Sequence, residues 1–258
     1  MTSFTQYSNI LLDGFISNLR SADVVSKKKS ILDEILTYYN LSRDSILFVG
    51  FSPWILSMGD TPFSITEVSD DVVAYLESQG CKFERVELYN MVPKSVSVVV
   101  AVDEYFTFAD SDAEQRRLTE QLSAVARDLI VTTLRDYKNQ DFREREFSQP
   151  IMIPGQDTNK IYLEYYSYEP YDKNALTSIT YVIADQLTTY GPYDRRNMYF
   201  KQLAKFSIDA GANNFYVHKN LMYKSVIKKN YEHIITIKFG AHGQHKRFNR
   251  HSSKKHNR

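Results

Sequence analysis

Apolar positions recur at helical spacing at the start of the chain. Leu11, Phe15 and Leu19 stand four apart, and Ile31, Leu32, Ile35, Leu36 and Tyr39 make a second stripe. Residues 1–44 therefore read as a helical segment, with Lys27, Lys28 and Lys29 in a solvated turn between two helices. From Ser45 the period changes. Residues 46–50 form a short apolar run closed by glycine, which reads as a buried strand, and residues 63–68 predict a second. A helix follows: Ser69 is placed to cap it, Asp70 and Asp71 suit its positive end, and Val72, Val73 and Leu76 supply its buried stripe. Gly80 is placed to end it. Residues 82–88, 96–103 and 129–133 predict three more strands. Ser111 and Glu114 form a capping box ahead of Leu118, Leu122 and Val125. Continuous apolar strands suit a sheet covered on both faces. Their alternation with helices predicts the α/β class, with a doubly wound and mostly parallel sheet.

Residues 160–169 and 176–183 are two β-rich runs around Pro170-Tyr171-Asp172-Lys173-Asn174, a hairpin signal. Tyrosines crowd this hairpin, an insertion at about 150–190. Such rings, apolar with a wet hydroxyl, make it a candidate oligomer contact. Tyr199, Leu203, Phe206 and Ala210 then mark a helix ending at Gly211, and residues 215–218 and 232–239 the last strands.

Charge changes the picture. The formal net charge is +1, but residues 240–258 hold six basic residues and no acid. The remaining chain holds 26 basic and 31 acidic residues, net −5. Three units result: the helical segment 1–44, a main domain 45–239 and a basic tail 240–258, expected to be disordered. A flexible basic arm neutralises phosphates without reading sequence, so nucleic acid or another polyanion is the partner expected of the tail.

Several classes fall away. One cysteine, Cys81, forms no internal disulfide, and a small hydrophobe near a helix end is its plainest role. No apolar run reaches membrane-spanning length and the start lacks a leader's pattern, so the expected location is the cytoplasm. There is no P-loop, no nucleophile elbow and no zinc spacing; no metal is expected.

The order of elements resembles the class I, Rossmann-like S-adenosylmethionine (SAM) methyltransferases over about residues 45–134 and 197–239, with the hairpin as an insertion. Ile46-Leu47-Phe48-Val49-Gly50 is similar to the first strand and the start of motif I. Ile65-Thr66-Glu67-Val68-Ser69 is similar to the second strand with its ribose-binding acid, and Val98 to Tyr105 to strand four. The resemblance implies a SAM-dependent methyltransferase with an antiparallel closing strand. It makes Gly50, Ser52, Trp54, Glu67 and Asn90 cofactor-binding candidates, with Asn90 at the adenine edge. Asp103 and Glu104 are the candidates for a catalytic base, and Arg135 and Lys138 for contacts to an anionic acceptor.

Motif I is degenerate. It reads Phe48-Val49-Gly50-Phe51-Ser52-Pro53-Trp54, with Phe48 at the acid position and Gly50 its only glycine. Two readings follow. In one, Trp54 packs against the cofactor and Ser52 donates to it. In the other, the fold is a non-catalytic scaffold with Trp54 in its core, and the basic tail engages an acidic partner. A crevice plugged by Phe51 and Trp54 would favour the scaffold.

Overall fold

The Thr2 side chain accepts from the Thr5 amide and so caps helix α1, Ser3–Ile16. This helix turns Phe4, Tyr7, Ile10, Leu11, Leu12 and Phe15 into the core. Helix α2, Ser21–Tyr39, follows. The computed structural model describes residues 2–18, 21–135, 145–155, 158–228 and 231–240. Leu19, Lys138 and the tail beyond Gly240 lie outside these residues.

The lysine run departs from expectation. Lys27, Lys28 and Lys29 lie inside α2 rather than in a turn. Lys28 is only 5% exposed; its Nζ donates to the Lys224 carbonyl at 2.5 Å and lies 3.1 Å from the centre of the Tyr223 ring. A long aliphatic stem lets lysine sit on a buried helix face while its ammonium finds a carbonyl and a ring.

The apolar runs become strands β1, Ile46–Val49, and β2, Phe63–Thr66. Helix α3, Asp70–Ser78, is capped as expected, with Ser69 accepting from the Val72 amide at 3.3 Å. Strands β3, Phe83–Arg85, and β4, Val96–Ala101, follow. Ser111 accepts from the Glu114 amide to start helix α4, Asp112–Val125, which leads into β5, Ala126–Leu134. Every residue of β1 and β4 is buried, as a sheet covered on both faces requires. Between β1 and β2, where the sequence left the element open, the chain makes a 3-10 turn at Ile55–Met58.

The insertion is larger than a hairpin. It comprises β6, Arg145–Phe147; β7, Ile151–Ile153; β8, Lys160–Glu169; β9, Asp172–Ile183; and β10, Leu187–Arg196. β8 and β9 are the expected hairpin pair, inside a five-stranded antiparallel sheet of order β10-β9-β8-β6, with β7 also on β8. Exposed and polar residues in β10, including Gly191 and Pro192, hid that strand from a hydrophobic count.

Helix α5, Phe200–Asp209, and strands β11, Asn214–Lys224, and β12, Tyr231–Lys238, complete the chain. The first sheet has the order β3-β2-β1-β4-β5-β12-β11. Its first five strands are parallel and β12 runs antiparallel between β5 and β11. The fold is thus the expected α/β doubly wound sheet with an antiparallel closing strand. Strand order reverses between β1 and β4. In open α/β sheets that reversal opens a crevice beyond the carboxyl ends of the strands.

Candidate active site

The turns after β1, β2 and β4 all reach this crevice with unusual backbone. Gly50 has φ +72°, while Glu67, Asp103 and Glu104 have φ +55°, +58° and +58°. Left-handed backbone at a residue with a Cβ costs about 1–2 kcal/mol. Its recurrence at the ends of β2 and β4 marks this edge as the place where local stability is given up.

Helix α1 lies across the crevice. Thr2 and Thr5 both donate to Glu67 Oε2, at 2.6 and 3.1 Å. The Phe51 amide donates to Ser8 Oγ at 2.5 Å. The Phe4 ring occupies the space beside Gly50 where a Cβ would stand, and meets Tyr105 edge-on at 4.8 Å between ring centres. Beside Glu67 a cavity of about 400 Å³ remains, lined by Thr2, Thr5, Val68, Arg85, Val86 and Glu87.

The other motif I residues turn inward. Phe48 and Trp54 are fully buried and Phe51 nearly so. Trp54 packs edge-on against Tyr223, 5.6 Å between ring centres, and Ser52 Oγ accepts from the Trp54 amide at 3.3 Å. The Trp54 indole Nε1 is buried without a hydrogen-bond partner. Asn90 is not brought to this place. It is exposed in a 3-10 turn and lines a separate open groove of about 1340 Å³ that also touches Asp44, Ser45 and Ile46. Arg135 lies 3.7 Å from Glu104, so its charge faces a buried carboxylate.

Asp103 and Glu104 stand in a buried cluster between the two sheets. Tyr223 donates to Asp103 Oδ2 at 2.5 Å. Glu104 Oε2 accepts from Lys228 at 2.7 Å and from Arg195 at 3.1 Å. Glu164, on β8, lies 3.7 Å from Lys228 and 3.8 Å from Arg195, and accepts from Tyr166 at 2.5 Å. Glu232 accepts from Thr133.

Environment splits these acids. Burial alone would raise the Glu104 pKa, but Lys228, Arg135 and Arg195 outweigh it and hold the carboxyl well below the usual range. Burial raises Asp103, with Lys28, the hydrogen bonds of Ser225 and Tyr223, and Lys228 opposing only in part. Glu232 is pushed up to about 8, by burial first and then by Glu104 and Asp103. Burial lowers Lys28 to about 7. Glu104, held ionised at neutral pH, is an anchor, whereas Asp103 has a raised affinity for a proton.

Sequence reasoning did not find Lys28, Glu164, Arg195, Lys228 or Glu232. A signal existed for two. Glu164 alternates in phase with Tyr162 and Tyr166, and Arg195 with Tyr193, all on the buried face of the second sheet. Among the described residues, no group of three His, Cys, Asp or Glu is arranged to hold a metal ion. No described helix is long and apolar enough to cross a membrane.

No family model matches the sequence, and no curated protein matches it. Solved structures do match the fold. DesVI from Streptomyces venezuelae superposes with a TM-score of 0.61 at 10% identity, covering 86% of this chain and 94% of that one. A SAM-dependent methyltransferase from Clostridium acetobutylicum gives 0.60 at 11% identity, covering 86% and 95%. SAM-bound CalS10 from Micromonospora echinaspora, an amino pentose methyltransferase, gives 0.60 at 8% identity, covering 83% and 91%. With this strand order and these likenesses, the chain has the fold of the class I, Rossmann-like SAM-dependent methyltransferases.

Proposed function

We propose that the chain is a SAM-dependent methyltransferase whose cofactor crevice is covered by the first turn of its own α1. The observation that carries this reading is the setting of Glu67. It ends β2 beside an open cavity, and the bonds it accepts from Thr2 and Thr5 come from two hydroxyls, as a ribose would offer. Gly50 allows close approach beside β1. When bound, SAM would supply an activated methyl group. The chain's part is alignment and exclusion of water. In this reading Asp103 takes the proton that an amine acceptor loses, while Glu104 stays ionised and ties Arg195 and Lys228 to the sheet edge. An amine-bearing small molecule is the acceptor class favoured here, in keeping with the amino pentose methyltransferase among the similar folds.

The crevice accepts the cofactor only after Phe4 leaves it. Exposing one phenylalanine costs about 2–3 kcal/mol, which lowers apparent affinity roughly 30- to 150-fold. Releasing all of α1 would expose six large apolar side chains and cost more than a micromolar ligand supplies, so only the first turn is expected to move. Calorimetric titration with SAM and S-adenosylhomocysteine tests this. Weak binding by the intact chain, tighter binding by Phe4→Ala and loss in Glu67→Ala are expected.

Phe4 over Gly50, with Phe48 buried where motif I carries an acid, favours a second reading: a non-catalytic scaffold whose basic tail 240–258 engages a polyanion. Absence of SAM binding at millimolar ligand in both the intact chain and Phe4→Ala would establish it over the first. Deleting residues 240–258 should then abolish salt-dependent polyanion binding.

A further inference from the structure

Among the described residues, one face of the second sheet is uncovered. Its inner face carries Glu164 and Arg195 toward the first sheet, and the alternate residues point away from it. Register sorts these outer residues into rows across β6 or β7, β8, β9 and β10. One row is Met152, Ile161, Ile183 and Leu187, apolar throughout. The next pairs Leu163 with Tyr181 and Thr189, and the one after it pairs Phe147 and Tyr165 with Ile179. The last is polar: Arg145, Ser167, Thr177 and Asp194. Phe147, Met152 and Leu187 are 61%, 60% and 62% exposed. With strands about 4.8 Å apart and about 3.4 Å of rise per residue, the face measures about 20 by 27 Å, on the order of 500 Å². Three of its four rows are largely apolar, and an exposed apolar patch of a few hundred Å² is a signal of an interaction site.

We propose that this face binds the same face of a second copy of the chain, about a two-fold axis parallel to β8 and β9. Two arguments select that occupant. The first is charge. Arg145 stands at one edge of the polar row and Asp194 at the other. A two-fold axis along the strands reverses the strand order, so Arg145 of each copy faces the partner's Asp194, and the two pairs form together. The same operation lays Ile161 on the partner's Ile183 and Tyr165 on the partner's Ile179, apolar on apolar. The second argument is area. Two such faces bury about 1,000 Å², the level at which a specific interface begins. A C2 contact is isologous and closes on itself, so assembly stops at the dimer. The catalytic reading is not involved: the dimer stands or falls apart from SAM binding.

Sedimentation of the intact chain tests this. At about 100 µM the mass should be twice the 30.0 kDa of the chain. Leu163→Glu should give a monomer with an unchanged far-ultraviolet spectrum; if it fails to fold, Thr189→Arg on the same face serves instead. Arg145→Asp alone should weaken the dimer at least tenfold, and adding Asp194→Arg should restore it. A monomer at 100 µM overturns the proposal, including one that instead takes up detergent on this face. So does a dimer indifferent to Leu163→Glu and Thr189→Arg. A double charge swap that does not recover overturns the two-fold arrangement.

Discussion

The ring of Phe4 fills the space in which a side chain at Gly50 would begin. Gly50 also has φ +72°, where L-residues are strained. Gly50→Ala should therefore destabilise the chain by about 2–4 kcal/mol, from strain and collision together. The collision is specific to Phe4. In a Phe4→Ala background the same substitution should cost about 1–2 kcal/mol less, read as a coupling term in urea denaturation.

Thr2 and Thr5 share one carboxylate oxygen of Glu67. Removing both hydroxyls, with Thr2→Ala and Thr5→Val, loses the helix cap and two charge-assisted bonds. A loss of about 2–3 kcal/mol in stability is expected. If the crevice takes a nucleoside, S-adenosylhomocysteine should bind several-fold tighter in the double variant, because Glu67 no longer has a competitor. Equal affinities measured by calorimetry would show that the first turn and the ligand do not compete.

Glu104 is fully buried between Arg195 and Lys228. Glu104→Gln leaves two buried cations sharing the more distant Glu164 and should destabilise by about 3–5 kcal/mol. The gap between the native chain and this variant should shrink in acid. Glu104 is depressed in the folded chain, so its contribution is present above the unfolded carboxyl pKa and fades as pH falls through the folded value. Urea midpoints at pH 7 and pH 4 measure both effects.

Glu232 runs the other way. Unfolded, it ionises near 4.5; folded, it holds its proton to about 8. Between these values the native chain binds a proton that the unfolded chain has released. Folding therefore weakens as pH rises, by at most about 1.4 kcal/mol per pH unit. Glu232→Gln should flatten that slope. Lys28, lowered to about 7, adds the opposite slope above pH 7, and His218, lowered to about 4, adds it below about 6.5, so the effect is read as the difference between the native chain and Glu232→Gln.

The first sheet was legible because its chemistry is local. Val96 to Ala101 is buried on both faces, so composition alone reveals it, and Ser69 and Ser111 announce their helices by caps that span three residues. Gly50 and Glu67 were legible because each ends a strand at the crevice. The second sheet showed only its most hydrophobic pair. β10 mixes Gly191, Pro192, Asp194 and Arg195 and is specified by pairing with β9 rather than by its own residues. The charge cluster was hidden for a related reason. Glu104, Arg195 and Lys228 are far apart in sequence, and only the folded chain says that a charge is buried. Lys28 shows the same limit: three lysines in a row read as solvent-facing until the helix phase places the middle one against Tyr223.

The Arg195–Glu104 contact also restricts movement. Arg195 belongs to the second sheet and Glu104 to the first, with no solvent between them. Prising the sheets apart would break this contact, leaving Glu104 to Lys228 and Arg135 and Arg195 to Glu164, without offering water until the gap was wide. The two sheets therefore behave as welded halves, and a molecule reaching the crevice comes in past Thr2 and Phe4, along the end of the chain that is held by hydroxyls and a single ring.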